Sequence, residues 1–323
     1  MTSPPKVYPL PNPHAFQTKN GTTPAEIKDQ SVPFALSMAL TAFIIWGLSP
    51  IFFKQLGHVE AVEVLAHRVV WTVILLGALF HVRKLWPKVK AEISSRRRLL
   101  AYTATTTLIG LNWGVFIWAV NDDRIVEVSL GYYINPLVLV ALAMVFLAER
   151  LRRLQAVAVG LALAGVSYNV WQFGSVPIVT VCLALSFSTY AVIRKREGLD
   201  PFIGLFVETL LLMPVAIAYI AYREWLGVGA IMNEGLGTHS LLILAGIVTA
   251  VPLVCYMQGA KTLPLKTMGL LSYLAPSLQL LIGVWLYTEP FTRDTQITFA
   301  LIWLALGVYT YDAFTARRKA RAV

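Results

Sequence analysis

The sequence predicts an all-α integral membrane protein with ten transmembrane helices in two inverted five-helix repeats. Three observations carry this. Hydrophobic residues make up 57% of the chain and charged residues 14%, against roughly 25% charged in soluble domains, which is too little polarity for a water-facing surface. The apolar residues fall in ten runs of the length, about 20 residues, that a helix needs to cross a bilayer. One stretch is also written twice. Tyr133-Ile134-Asn135-Pro136 runs on to Glu149, and Tyr273-Leu274-Ala275-Pro276 runs on to Glu289, each residue 140 from its counterpart. A period that long within 323 residues divides the chain in two.

The runs are 33–53, 60–82, 99–120, 125–147 and 153–170, then 176–193, 202–222, 239–260, 265–288 and 295–315. In hydrocarbon every backbone group must be satisfied internally, and runs this long do so as helices. Residues 33–170 therefore form the first repeat and 176–315 the second. Residues 1–32 are polar and Pro-containing, with no apolar core to act as a signal peptide, and read as a disordered cytoplasmic tail. Residues 316–323 form a short basic tail. The same offset sets Lys54 on Arg194, Arg68 on Glu208 and Ala119-Val120 on Gly259-Ala260. Five helices is an odd number, so the second half enters the bilayer upside down relative to the first, as in many secondary transporters.

Charge fixes the orientation. With the N-terminus inside, only Lys54, Arg124, Arg223 and Arg293 of the 27 Lys and Arg lie in outer segments, and Arg68 lies within a helix. Both termini are thus expected in the cytoplasm. The basic segment 83–98 reads as a positive-inside anchor, or as a stretch lying on anionic headgroups. The net charge of +10 is spread between apolar runs rather than along one face, which disfavours nucleic acid as a partner. Cys182 and Cys255 lie inside apolar runs as small core residues, with no metal spacing.

Arg68 is the sharpest candidate, about 12 Å below the outer boundary at 1.5 Å per residue. A charge at membrane depth faces the bundle interior or a wet cavity. It either meets a solute or forms a packing ion pair with Glu63 or Glu127. Glu208 is its counterpart, either a proton-carrying group or half of an ion pair with Lys195 or Arg196. The two residues could also face each other across the pseudo-twofold axis. Pro136 and Pro276 fall mid-helix, as gates or as static bends, and Pro252 reads the same way.

Trp46, Asn112, Trp113, Tyr133, Asn135, Gln258 and Tyr273, with Trp118, Tyr132, Tyr256 and Gln279, sit at membrane depth. They are either interhelical hydrogen bonds and interfacial anchors, or the wall of a cavity that stacks a planar solute. Gly110-Leu111-Asn112-Trp113-Gly114 is a GxxxG pattern suited to close helix packing. Glu149 and Glu289 read as caps of a turn, or as partners of Arg150, Arg152 or Arg293. GxSxG, HExxH, P-loop and GxGxxG motifs are absent, so ATP hydrolysis by the usual route is excluded and the chain does not read as an enzyme.

Leu147-Ala148-Glu149-Arg150, with Gln155, Gly160 and Gly165, resembles the EamA repeat of the drug/metabolite transporter superfamily. His67-Arg68-Val69-Val70-Trp71, Asn112-Trp113 and Ser129-Leu130-Gly131-Tyr132-Tyr133-Ile134-Asn135-Pro136-Leu137 resemble its RarD branch. So does Glu289-Pro290-Phe291 followed by Phe299-Ala300-Leu301-Ile302-Trp303. The resemblance spans about residues 33–315 and departs in the long polar tail and in the Glu289-Pro290 pair. It implies a ten-helix inverted-repeat transporter of the cytoplasmic membrane. The first four helices of each half would line a central cavity, placing Arg68, Trp113, Tyr133, Glu208, Gln258 and Tyr273 along it. The branch carries the label of chloramphenicol-sensitivity protein or permease, and relatives in the superfamily export amino acids and other metabolites.

The resulting expectation is a secondary exporter of a small organic solute, drug or metabolite, working by alternating access. It would have no cofactor beyond proton coupling, and its partners would be the bilayer and the solute. Oligomeric state is not legible in the sequence. A polytopic sensor or accessory subunit without transport activity is the alternative.

Overall fold

The computed structural model describes residues 24–147, 152–174 and 176–321. Its elements are α1 (Pro24–Lys54), α2 (Ala61–Val82), α3 (Trp86–Ile93), α4 (Arg96–Asn121), α5 (Ile125–Leu147), α6 (Arg153–Phe173), α7 (Ile178–Glu197) and α8 (Pro201–Trp225). They continue with α9 (Ala230–Asn233), α10 (Leu236–Thr262), α11 (Leu265–Leu271), α12 (Leu274–Leu281), a π-helical turn at Ile282–Leu286 and α13 (Arg293–Arg321). No strand occurs among the described residues. α1 begins at Pro24, inside the stretch read from sequence as tail; residues 1–23 lie outside the described residues, as do Glu149 and Arg150.

Nine segments among the described residues are long and apolar enough to cross a membrane. α13 is helical over the tenth expected run. The outer surface is apolar: Trp171, Trp225 and Trp285 are exposed near the ends of their segments, where indole rings sit at the headgroup level.

Acidic residues cap the starts of three helices, α2, α8 and α5. The Glu60 carboxylate accepts from the Val62 and Glu63 N–H groups at 3.3 and 3.2 Å. Asp200 accepts from Phe202 and Ile203 at 2.8 Å each. Both sit where free N–H groups and the helix dipole favour negative charge, and they too are 140 residues apart. Glu289 does the same from a distance, accepting from Ile125 N–H and Val126 N–H at 2.7 Å each and so capping α5. Of the readings open for Glu289, the cap is the one found. It is held out at this position by Thr288, a β-branched residue with φ of 53°.

The ninth run is not one helix, as the sequence had suggested. Pro276 lacks an N–H and its ring crowds the carbonyl of residue i−4, which is Ser272. The chain turns at Ser272–Tyr273 and restarts as α12, with Pro276 in the first turn, where N–H groups have no intrahelical partner anyway. Its counterpart Pro136 is carried inside a continuous α5. Pro276 therefore interrupts its run one turn upstream, at Ser272–Tyr273, whereas Pro136 does not interrupt α5.

Helix pairs recur in exchanged form. α1 packs on α10, and α7 on α4; α5 packs on α7, and α12 on α1; α2 packs on α8, and α6 on α13. Lipid tails are as apolar as leucine, so these contacts depend on close packing and interhelical hydrogen bonds. Close approaches of backbone to backbone occur at α10. A methyl at Gly246 would lie 2.6 Å from Trp71 Cβ and 2.9 Å from the Thr72 backbone nitrogen of α2. One at Gly259 would lie 3.0 Å from the Ala35 carbonyl of α1. The GxxxG pattern of α4 meets only the side chains of Leu212 and Leu65, so the tight seam lies elsewhere. Gly246→Ala is expected to cost about 1–3 kcal/mol by overpacking, lowering the thermal midpoint of the detergent-purified protein. Gly269→Ala, in open space, is expected to leave it unchanged or raised.

Candidate solute-binding site

The site is built at the seam between α1, α2, α4 and α10. Arg68 of α2 is 8% exposed. Its Nε donates to Thr249 Oγ1 of α10 at 2.6 Å, and that hydroxyl donates on to the Ala245 carbonyl at 2.9 Å. The guanidinium lies 4.3 Å from the centre of the Trp113 ring of α4 and 5.4 Å from that of Phe53 of α1. Among the described residues its two terminal nitrogens have no hydrogen-bond partner, and no carboxylate lies within ion-pair distance. The ion-pair reading of Arg68 therefore fails. Glu63 is taken by Arg223 at 3.2 Å and by Ala230 N–H at 2.6 Å, and Glu127 by Arg124 at 2.9 Å. Arg68 is a cation at membrane depth, its orientation fixed by one hydroxyl and two aromatic faces, with a planar two-donor edge left over.

Seven residues along α1 from Phe53 lies Trp46, and seven along α10 from Thr249 lies Tyr256. These two rings, with Phe43, form a cluster at centroid distances of 5.6 to 5.8 Å. Seven residues of helix is about 10 Å, so an aromatic tract continues from Arg68 along the α1–α10 seam. Gln279 of α12 donates to the Trp46 carbonyl at 3.2 Å, and its buried Oε1 has no partner among the described residues.

Residues 33–171 match the model of the EamA-like transporter family. The chain is 43% identical to an uncharacterized transporter of Vibrio cholerae, over 90% of this chain and 97% of that one. It is 40% identical to the protein RarD of Escherichia coli K12, over 87% and 95%. The chain belongs to the RarD branch of the EamA family. A further relative, 33% identical over 87% of this chain and 95% of its own, is the chloramphenicol-sensitive protein RarD of Pseudomonas aeruginosa. A solved crystal structure shares the fold with a TM-score of 0.54 at 20% identity, covering 88% of this chain and 98% of that one. The chain is thus a multi-pass membrane transporter-family protein.

The other expected site residues of this RarD-family chain do not gather at Arg68. Asn112 is buried and spends its amide between helices, donating to the Leu183 carbonyl at 3.2 Å and Ser186 Oγ at 2.9 Å, and accepting from Tyr132 at 3.4 Å. The duplicated tyrosines meet each other. Tyr133 stacks on Tyr273 at 6.3 Å with 21° between planes, and its hydroxyl lies 2.6 Å from Ser277 Oγ. The edges of Phe299 and Trp303 complete that packing on the α13 side. The carbonyl of Asn135 accepts from Ser188 at 3.1 Å, and its Oδ1 has no partner among the described residues. Gln258 lies near the end of α10 and accepts from Lys261 at 3.1 Å, away from mid-membrane depth.

Glu208 and Arg68 do not face each other. Glu208 is wholly buried and pairs with Arg194 at 3.2 Å, not with Lys195 or Arg196. Tyr190 donates to the same carboxylate at 3.1 Å and is itself hydrogen-bonded by Arg194, which also donates to the Asp200 carbonyl at 2.7 Å. Thr249 and Phe53 were missed from sequence because nothing separates them from other residues of an apolar run.

Proposed function

We propose that this chain is a secondary transporter that exports a small organic solute across the cytoplasmic membrane by alternating access, with Arg68 holding the solute's anionic or polar group. The observation that carries this is the free two-donor edge of Arg68, buried where four helices meet. A guanidinium fork matches a carboxylate or phosphate in two parallel hydrogen bonds, and the rings of Trp113 and Phe53 suit a planar body beside it. The exchange of helix pairings under the 140-residue offset supports two inverted halves that rock against each other. The charge bias of the loops supports a cytoplasmic position for both termini. Solute reaches Arg68 when the α1–α10 seam parts, and the break at Ser272–Tyr273 is the better placed hinge of the two proline sites. Glu208 is the carboxylate through which a proton gradient is read.

The alternatives of sensor, accessory subunit or membrane enzyme predict no solute movement by this chain alone. Vesicles containing only the purified protein are expected to move at least one member of a pool of labelled organic acids, amino acids and chloramphenicol, with the rate responding to an imposed pH gradient. Absence of flux for every member, with the protein folded, would remove the transporter reading.

A further inference from the structure

A second site lies at the other end of the bundle, between the start of α4 and the end of α7. A cleft of about 520 Å³ is lined there by Arg96, Arg97, Leu100 and Ala101 of α4 and by Ile193, Arg196 and Glu197 of α7. Its chemistry changes with depth. The rim carries three guanidinium groups and one carboxylate. Arg97 forks onto Glu197 at 2.7 and 3.1 Å, and Arg196 Nε lies 4.0 Å from the same carboxylate. One negative charge therefore organises the wall, and two positive charges remain uncompensated. Arg98, next in sequence, turns away and pairs with Glu92 at 3.1 Å. About one helical turn deeper, the floor is apolar and open, with Leu100 62% exposed.

We propose that this cleft binds the phosphate of an anionic phospholipid, with an acyl chain laid over Leu100, Ala101 and Ile193. Three features favour a lipid over a soluble phosphate compound. The cleft straddles the boundary where the apolar stretches of α4 and α7 meet their charged ends. Its floor offers hydrocarbon, which a free phosphate does not use. It also lies at the end of the bundle that the loop charges assign to the cytoplasmic leaflet, whose anionic lipids attract basic groups by about 1 kcal/mol each. Basic clefts between transmembrane helices on that side are suited to such headgroups. The bound lipid would bridge α4 and α7, a pair that Asn112 already ties through Leu183 and Ser186 deeper in the membrane. This proposal stands whether or not the chain moves a solute.

The test is native mass spectrometry of the full chain released from nanodiscs of phosphatidylglycerol or of phosphatidylcholine. The wild type is expected to retain phosphatidylglycerol with at least a tenfold preference, and Arg96→Gln/Arg196→Gln to lose that preference. Leu100→Glu, at an exposed position that leaves the bundle intact, is expected to lose it as well. Lys88→Gln/Lys90→Gln, which removes the same charge nearby, is expected to keep it. Equal retention of the two lipids by the wild type would overturn the proposal. So would undiminished phosphatidylglycerol binding in Leu100→Glu or in the folded double-Gln chain. Displacement of the lipid by millimolar inorganic phosphate or glycerol phosphate would replace it with a soluble-phosphate site.

Discussion

Arg68→Ala is expected to weaken binding of an organic acid by about ten- to a hundredfold. A hydrogen bond to a charged group contributes about 1.5–3 kcal/mol, and each 1.4 kcal/mol is a factor of ten. Arg68→Lys is expected to recover only part of this, because an ammonium keeps the charge and loses the planar fork that Thr249 and Trp113 orient. The decisive comparison is among three solutes that share one body: phenylacetate, phenylacetamide and phenylalanine. The acid is expected to bind best. The amide offers no charge to the fork. The amino acid brings an ammonium, and among the described residues no carboxylate lies beside Arg68 to receive it. Ligand-induced shifts in the thermal midpoint of the purified protein measure all three without requiring transport. If the amide binds as tightly as the acid, or Arg68→Ala leaves the acid's affinity unchanged, Arg68 is a packing residue and the neutral drug in a relative's name becomes the better lead.

The membrane class was legible because it rests on bulk composition and run length, which no tertiary detail overrides. Arg68 was legible because a charge in an apolar run is costly wherever it points. Its surroundings were not. Thr249 is 181 residues away in sequence, and a threonine in an apolar helix gives no sign of which residue it will meet. The two prolines of the duplicated stretch look alike, yet one sits in a continuous helix and the other in the first turn of a new one. The offset itself proved informative in a way the individual residues were not. It paired Tyr133 with Tyr273, which stack, and Glu60 with Asp200, which cap. It also set Arg68 on Glu208, which do not meet: Arg68 donates to Thr249 and Glu208 pairs with Arg194. The partner of Glu208 could have been found by depth. Arg194 lies six residues before the turn at Asp200 and Glu208 eight after it, whereas Lys195 and Arg196 are closer to the turn.

That pairing sets the largest expected loss of stability. Glu208→Gln leaves Arg194, 12% exposed in its side chain, beside a neutral amide where the wild type holds a fully buried carboxylate. Removing one partner of a buried ion pair costs about 3–5 kcal/mol, because the other charge stays desolvated. Arg194→Gln is expected to cost a similar amount, and the double Gln chain less than the sum of the two, with a coupling that a double-mutant cycle of thermal midpoints measures. The same variants separate two roles for Glu208. If the pair is structural, Glu208→Gln loses stability, and solute flux falls only as the folded fraction falls. If Glu208 carries the proton, the folded fraction of Glu208→Gln still moves solute down its own gradient but no longer responds to an imposed pH gradient. In that second case protonated Glu208 would release Arg194 toward Tyr190 and the Asp200 carbonyl, groups that already contact it, and the ion pair would be one of two states of the carboxylate. The pH-gradient response of the folded variant decides whether the second state is visited.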